Sequence, residues 1–416
     1  MLVRLPYGEG DIEVDVPERN LIGVLEGKKV SVPALEQEFT RAWSNPIGID
    51  DPAADFHPGE SVVFIVTDHT RPTPTRDVLP LIWDRISSRV RREDVTIVVA
   101  TGTHRAPTDA ELDALLGGMR REFRVLIHDC NRDLIEVGKS SRGTPILIDR
   151  TVAEADHVIS IGHIGMHYYA GYSGGRKNIL PGVAGRETIE RNHSQLLDPG
   201  CEGCVYHGNP ISEEMSEAAR LVNVDFVVDV VLGPDGRVVR VVVGDIEAAH
   251  AAGRAVWDEM FKVPLPEKAD LVIASAGGRP KDIDLYQAYK GLYNAAKAVR
   301  DGGMILLVAA CPDGIGHPVF EDWIRRCERP EDVFGVFAAE GFKLGGHKAI
   351  YLAKDLARAE IHLLSELDDR LVERFFLRPI HDPNRILNLA RDRFGPEFSV
   401  LVLPHAADTF PVDQRA

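Results

Sequence analysis

The chain predicts an α/β protein of two domains. Each is expected to hold a largely parallel sheet flanked by helices, with the active site in the cleft between them. Three observations carry that expectation. Apolar, strand-like segments near 61–66, 95–100, 124–128 and 157–161 recur, with helical patterns after the first two. A proline pair, Pro264-Leu265-Pro266, interrupts the alternation, which then restarts. Three of the early strands run out into loops rich in arginine, histidine and lysine, and ligands of open parallel sheets bind at such strand ends.

In chain order, an N-terminal hairpin (about Leu2–Val24) precedes a helix near Pro33–Trp43. Pro72 and Pro74 suit the first turn of a helix over about Thr75–Val90. Thr108-Asp109-Ala110-Glu111 is a capping box opening the next helix. Helical stretches at Gly185–Leu197 and Ser212–Val222 lead to Asp225–Asp245, strand-like around the turn Gly233-Pro234-Asp235-Gly236. A long helix, Ile246–Phe261, runs into the proline pair. Beyond it, strands are expected at Leu271–Ser275, Met304–Ala310, Ile361–Leu364 and Ser399–Leu403. Helices are expected at Asp284–Val299, His317–Cys327, Pro330–Ala339 and Pro383–Phe394. The division predicted is 1–265, 266–397, and a tail 398–416 that either stays with the second domain or returns to the first.

A length of 416 residues is ample for two cores. The net charge of −16 argues against nucleic acid or an anionic membrane as a general partner, while a local cluster of cations can still hold a small anion. No apolar run reaches the length of a membrane span. The opening Met1-Leu2-Val3-Arg4-Leu5-Pro6 does not read as a signal peptide, and five cysteines do not suggest a disulfide framework. A cytoplasmic protein is expected.

The first loop is Thr67-Asp68-His69-Thr70-Arg71-Pro72, the second Thr101-Gly102-Thr103-His104-Arg105. The third runs from Gly162-His163-Ile164-Gly165-Met166-His167 to Ser173-Gly174-Gly175-Arg176-Lys177. Asp68 taken alone reads equally as a turn cap, whereas Arg71 beside a helix start can clamp a carboxylate or phosphate. His104 alone reads as a solvated loop histidine. His163 and His167 stand four apart, but Gly162 and Gly165 oppose the helix that a two-histidine metal site needs. The glycines before Lys177 resemble a phosphate nest but not a P-loop, because Asn178 stands where a magnesium nucleotide needs Ser or Thr. Gln287 and Lys290 share a helix face and taken alone read as a solvated pair.

Taken in order, these segments resemble the lactate racemase family over nearly the whole chain. The matching pieces are Asp68-His69-Thr70-Arg71-Pro72, Thr101-Gly102-Thr103-His104, and His167 ten residues ahead of Lys177. Asn192-His193 and Gln287-x-x-Lys290 complete the set. The resemblance implies a nickel-dependent racemase or epimerase of 2-hydroxy acids. It implies a nickel pincer nucleotide, pyridinium-3-thioamide-5-thiocarboxylic acid mononucleotide, covalently attached at Lys177. It also implies His193 as the protein ligand to nickel, and loading by cofactor-biosynthesis enzymes.

Direct removal of the C2 proton of a 2-hydroxy acid is difficult beside its carboxylate. The resemblance implies hydride transfer from C2 instead, through a planar 2-keto acid. His104 and His167 then fit the two bases. Arg71 and Lys290 fit the clamp on the small anionic substrate, with Gln287 adding a hydrogen bond and Tyr286 lining the pocket. Asp68 and the Ser173-Gly174-Gly175 segment are expected to orient the cofactor and its phosphate. Three other readings remain open at this level. One is a zinc site from His193, Cys201, Cys204 and His207. Another is a cofactor-binding or maturation protein without turnover, and the third a hydrolase or lyase with a histidine metal site.

Overall fold

The computed structural model describes residues 1–28 and 30–413. The chain forms two compact units, Val30–Asp258 and the combination of Met1–Lys29 with Glu259–Ala416. Each has its own six-stranded sheet.

In the Val30–Asp258 unit the spatial order is Val238–Gly244, Phe226–Leu232, His157–Ile164, Val62–Thr67, Val95–Ala100, Arg124–Ile127. Only the Val238–Gly244 edge is antiparallel; the other pairings are parallel. Val62–Thr67 and Val95–Ala100 are buried at every position, as strands covered on both faces must be. One face packs Phe64, Val66, Ile97, Ile159 and Val228 against Val78 and Ile82 of the helix Thr75–Ile86. The Thr108 capping box opens the helix Asp109–Leu116 as expected. Phe226–Leu232 and Val238–Gly244 form the hairpin read from the glycine–proline turn.

In the other unit the order is Arg378–Pro379, Ala359–Leu364, Val299–Val308, Ala269–Ser275, Val400–Leu403, Leu21–Val24, parallel throughout. The N-terminal hairpin Leu2–Tyr7/Gly10–Asp15 packs Val3, Leu5 and Val14 onto this sheet, beside Leu271, Leu306 and Val402.

The observed division therefore differs from 1–265, 266–397 and 398–416. Residues 1–28 lie with the C-terminal half, because their apolar side chains and the strand Leu21–Val24 are completed there by Val400–Leu403. The tail stays in the same unit. The proline-bearing segment is itself an edge strand, Lys262–Leu265, paired with Phe410–Asp413, where a missing proline N–H is tolerated. The break falls within the helix Ala248–Phe261.

A hairpin and a helix are among the elements not read from the sequence. The hairpin Leu134–Lys139/Pro145–Asp149 has a half-exposed, irregular burial pattern with a bulge. The helix Gly346–Leu356 begins on Gly345-Gly346, a pair that reads as a turn, yet nearly every residue from Gly346 to Asp355 is buried. Among the described residues no helix is long and apolar enough to cross a membrane.

Candidate functional site

The chain leaves Val62–Thr67 toward Val95–Ala100 on one side, then returns to lay His157–Ile164 on the other. The strand order reverses there, and ligands of open α/β sheets bind outside the carboxyl ends at such a point. The three loops meet at this edge. Asp68, 1% exposed, takes His104 Nδ1 at 2.5 Å on one carboxylate oxygen; on the other it accepts the Thr70 amide and hydroxyl at 3.0 and 2.6 Å. Thr73 Oγ1 lies 3.0 Å from His163 Nδ1, tying the first loop to the third. Gly102 has φ +54° and turns under the Gly182 carbonyl, which accepts its amide at 2.9 Å. A Cβ there would sit 3.2 Å from the Pro181 carbonyl oxygen, in a backbone region L side chains avoid.

The third loop is not helical at its histidines. His167 ends a two-residue strand, Met166–His167, which pairs with Gly171–Tyr172. Its Nδ1 faces the Ala170 amide at 3.4 Å. Tyr169 occupies the middle of the site: its ring is 4.5 Å from that of His167, 5.2 Å from that of His193, and 5.7 Å from Lys177 Nζ. The Ser173 hydroxyl donates to the His163 carbonyl at 3.0 Å, while its own carbonyl accepts His250 Nε2 at 2.8 Å, so Ser173 braces the loop. Gly174, at φ +88°, passes so near Ile164 that a Cβ would lie 2.8 Å from it. His193 ends the helix Arg186–His193, whose Asn192 is held by the buried Glu214 at 2.8 Å.

Burial dominates the electrostatics. It pushes the Lys177 ammonium well below the usual lysine range, and the charges of Arg71 and Arg176 push the same way. Burial, then the charge of Lys177, holds His193 down at about 3, so its imidazole is neutral with a lone pair to give. Arg176 is buried against Ser212 and the ring of Tyr206, and desolvation lowers it to about 10. Asp229, fully buried beside Gly174 and Gly175, is pushed up to about 7 by burial, against the opposing Gly175 amide and Arg176. Burial also raises Asp68, but the hydrogen bond and charge of His104, with Thr70 and Arg71, outweigh it and leave that carboxyl below its ordinary value.

The resulting set is an amine whose charge burial disfavours and a neutral imidazole, which share the Tyr169 ring with His167, and beside them the Asp68–His104 pair. The profile of the lactate racemase N-terminal domain matches residues 7–202, and that of the lactate racemase C-terminal domain matches residues 265–409. The chain belongs to the lactate racemase family. It is 32% identical to a lactate racemase of Thermoanaerobacterium thermosaccharolyticum over 415 residues, and 31% identical to one of Lactiplantibacillus plantarum over 419. Each match covers 97% of both proteins. The lactate racemase apoprotein structure from T. thermosaccharolyticum superposes with a TM-score of 0.92 at 30% identity, over 99% of this chain and 100% of that one. A Thermotoga maritima protein at 17% identity and a TM-score of 0.64, over 93% of this chain and 100% of that one, shares the fold.

Within this lactate racemase fold, Asp68, Arg71, His104, His167, Lys177 and His193 all belong to the Val30–Asp258 unit, the first three in the loops that follow the strands Val62–Thr67 and Val95–Ala100. The Asp68 carboxylate, expected beside the cofactor, lies against His104 and accepts from Thr70. Tyr286, Gln287 and Lys290 are on the other unit, in the first turns of the helix Leu285–Ala298 that follows the strand Ala269–Ser275. The zinc reading finds no support: among the described residues no three His, Cys, Asp or Glu side chains group as metal ligands. Cys201 is buried, with its Sγ against the Gln195 carbonyl and Asn209. Tyr169, Arg176 and Asp229 were missed in the sequence. Only Tyr169 left a trace, as an aromatic between His167 and the glycines.

Proposed function

We propose that this protein is a racemase or epimerase of 2-hydroxy acids, lactate or a close relative. In this reading it works with a nickel pincer nucleotide held covalently at Lys177 and loaded by cofactor-biosynthesis enzymes. The Lys177–His193 pair carries the reading. A lysine must shed its proton to form a covalent bond, and burial with two neighbouring arginines favours that. A histidine must be neutral to bind a metal, and His193 is held neutral. Gly174 lets the loop before Lys177 pass against Ile164, Asp229 and the His163 carbonyl, where a Cβ would clash. These residues fit the cofactor: Lys177 as anchor, His193 as metal ligand, Gly174 and Gly175 beside the nucleotide.

When bound, the cofactor supplies a reversible acceptor for the C2 hydride, so that the substrate passes through a planar 2-keto acid. The chain's own residues do the rest. Asp68 can only accept, so His104 carries its proton on Nδ1 and turns the lone pair of Nε2 outward, where it takes the substrate hydroxyl proton. His167 returns a proton to the oxygen after the keto acid presents its other face, and the two exchange parts for the other enantiomer. Arg71 takes the carboxylate as a bidentate cation. The test loads the protein with cofactor and follows single enantiomers of several 2-hydroxy acids in deuterated solvent. Loss of optical activity with the C2 hydrogen retained is expected; rapid C2 deuteration would mean proton abstraction and sink the proposal.

A further inference from the structure

The Asp68–His104 pair spans two loops, and a carboxylate outside the pair reaches the residue that follows each of its members. Glu111 lies in the first turn of the helix Asp109–Leu116, which the buried Leu112, Leu115 and Leu116 anchor in the core. Its Oε1 and Oε2 accept Nη2 and Nη1 of Arg105 at 2.5 and 2.8 Å, a bidentate contact with the residue after His104. Oε2 also accepts the Thr108 amide at 2.7 Å and the Thr108 hydroxyl at 3.0 Å, within the capping box. Oε1 faces His69, the residue after Asp68, whose Nε2 is 3.6 Å away. The other ring nitrogen of His69 is buried with no hydrogen-bond partner among the described residues, so the polar contact this ring makes is with Glu111.

The Arg105 side chain is 61% exposed and that of Glu111 31%, and a pair so open to water adds little to global stability. Its effect is on where the loop stands. From Thr101 to Pro107 no helix or strand holds the chain, and Arg105 ties that stretch to a helix fixed in the core. Resting on the reading of His104 as a base, we infer that Glu111 is a positioning residue for the reaction. It clamps the His104 loop through Arg105 and the Asp68 loop through His69, and thereby sets the hydrogen bond that joins them. A displacement of about 1 Å at a reacting group is enough to cost on the order of 10²-fold in rate.

Glu111→Gln keeps the capping box, which accepts Gln in place of Glu, but removes the charge and leaves one oxygen where two accepted Arg105. Arg105→Gln opens the same clamp and leaves the cap untouched. Amide hydrogen exchange on the apoprotein reads the loops directly. Both variants should exchange several-fold faster over 101–105 and at the Thr70 amide, which Asp68 holds. Over 109–116 they should keep the wild-type rate, which also shows that they are folded. Loaded with cofactor, both should lose on the order of 10-fold in kcat on lactate, or on whichever acid the wild type racemises fastest, with KM changed by less than about twofold. The double variant should fall no further than either single one, because one clamp is removed in each. Faster exchange confined to 109–116 would mean that Glu111 only caps the helix, and overturns the inference. So does wild-type exchange in both loops, a kcat within about twofold of wild type in either variant, or a double variant that loses the product of the single losses. A His104→Ala protein as fast as wild type removes the base assignment of the proposed function and this inference with it. A slow His104→Ala protein beside unimpaired Glu111→Gln and Arg105→Gln defeats this inference alone.

Discussion

Replacing Asp68 by asparagine changes a single atom's hydrogen-bonding sense at a buried position. One carboxylate oxygen accepts from His104 Nδ1 at 2.5 Å, and the other accepts both the amide and the hydroxyl of Thr70. An asparagine has two orientations there. With its NH₂ toward His104, the imidazole must accept at Nδ1, its proton moves to Nε2, and the lone pair needed for the substrate hydroxyl is gone. In a catalytic triad such a tautomer error costs about 10⁴-fold. With its oxygen toward His104 the tautomer is kept, but the NH₂ meets the Thr70 amide, donor against donor. The Thr70 hydroxyl can turn to accept, so one buried N–H is lost, at about 1–3 kcal/mol. The variant will adopt the cheaper arrangement, so kcat should fall by about 5- to 150-fold, with KM changed much less. Because two enantiomers have an equilibrium constant of one, kcat/KM must fall equally in both directions. Chiral chromatography of each reaction, with nickel content measured on the same samples, makes the assay independent of loading. A fully loaded Asp68→Asn protein with kcat within twofold of wild type would refute the role assigned to the Asp68–His104 pair.

Lys177→Ala should abolish covalent loading, since it removes the amine whose proton burial has loosened; intact-mass spectrometry after coexpression with the cofactor-making enzymes reads this directly. His193→Ala should lower bound nickel while leaving the organic adduct in place, and metal analysis showing wild-type nickel would point to His163, which lies at 3.0 Å from Thr73 in the same loop set. A last prediction concerns stability. Burial lowers His157, but its bonds to Asp225 and Glu60, at 2.9 and 3.0 Å, outweigh that and raise it above the ordinary value. A raised folded-state pKa stabilises fully below the unfolded value of about 6.5 and less as pH climbs through the raised one. The melting temperature of wild type over His157→Gln should therefore be largest near pH 6 and shrink above it; a constant gap from pH 6 to 9 would count against the linkage.

Much of this was legible along the chain. Continuous apolar runs such as Val62–Thr67 and Val95–Ala100 can only be strands covered on both faces, and their alternation with helices imposes a parallel sheet. The capping box at Thr108 and the turn at Gly233–Gly236 are local chemistry, decided within a few residues. The loops bearing Asp68, His104 and Lys177 were visible because strand ends are where such residues can serve a ligand. Other features depended on residues far apart in sequence. Leu21–Val24 closes the sheet beside Val400–Leu403, a pairing that no local pattern announces and that moved the N-terminal residues to the other unit. The partner of Asp68 is a histidine 36 residues on, a pairing that no local pattern announces. Lys348 stands among glycine, histidine and alanine in a segment that reads as a turn, yet its ammonium donates to the Tyr286 carbonyl, 62 residues earlier. Local sequence determines backbone preference and which side chains are available, since those depend on neighbours within a turn or a strand. Burial, and with it the protonation of Lys177, His193 and Lys348, is a property of the surrounding volume, and only the folded chain decides what fills it.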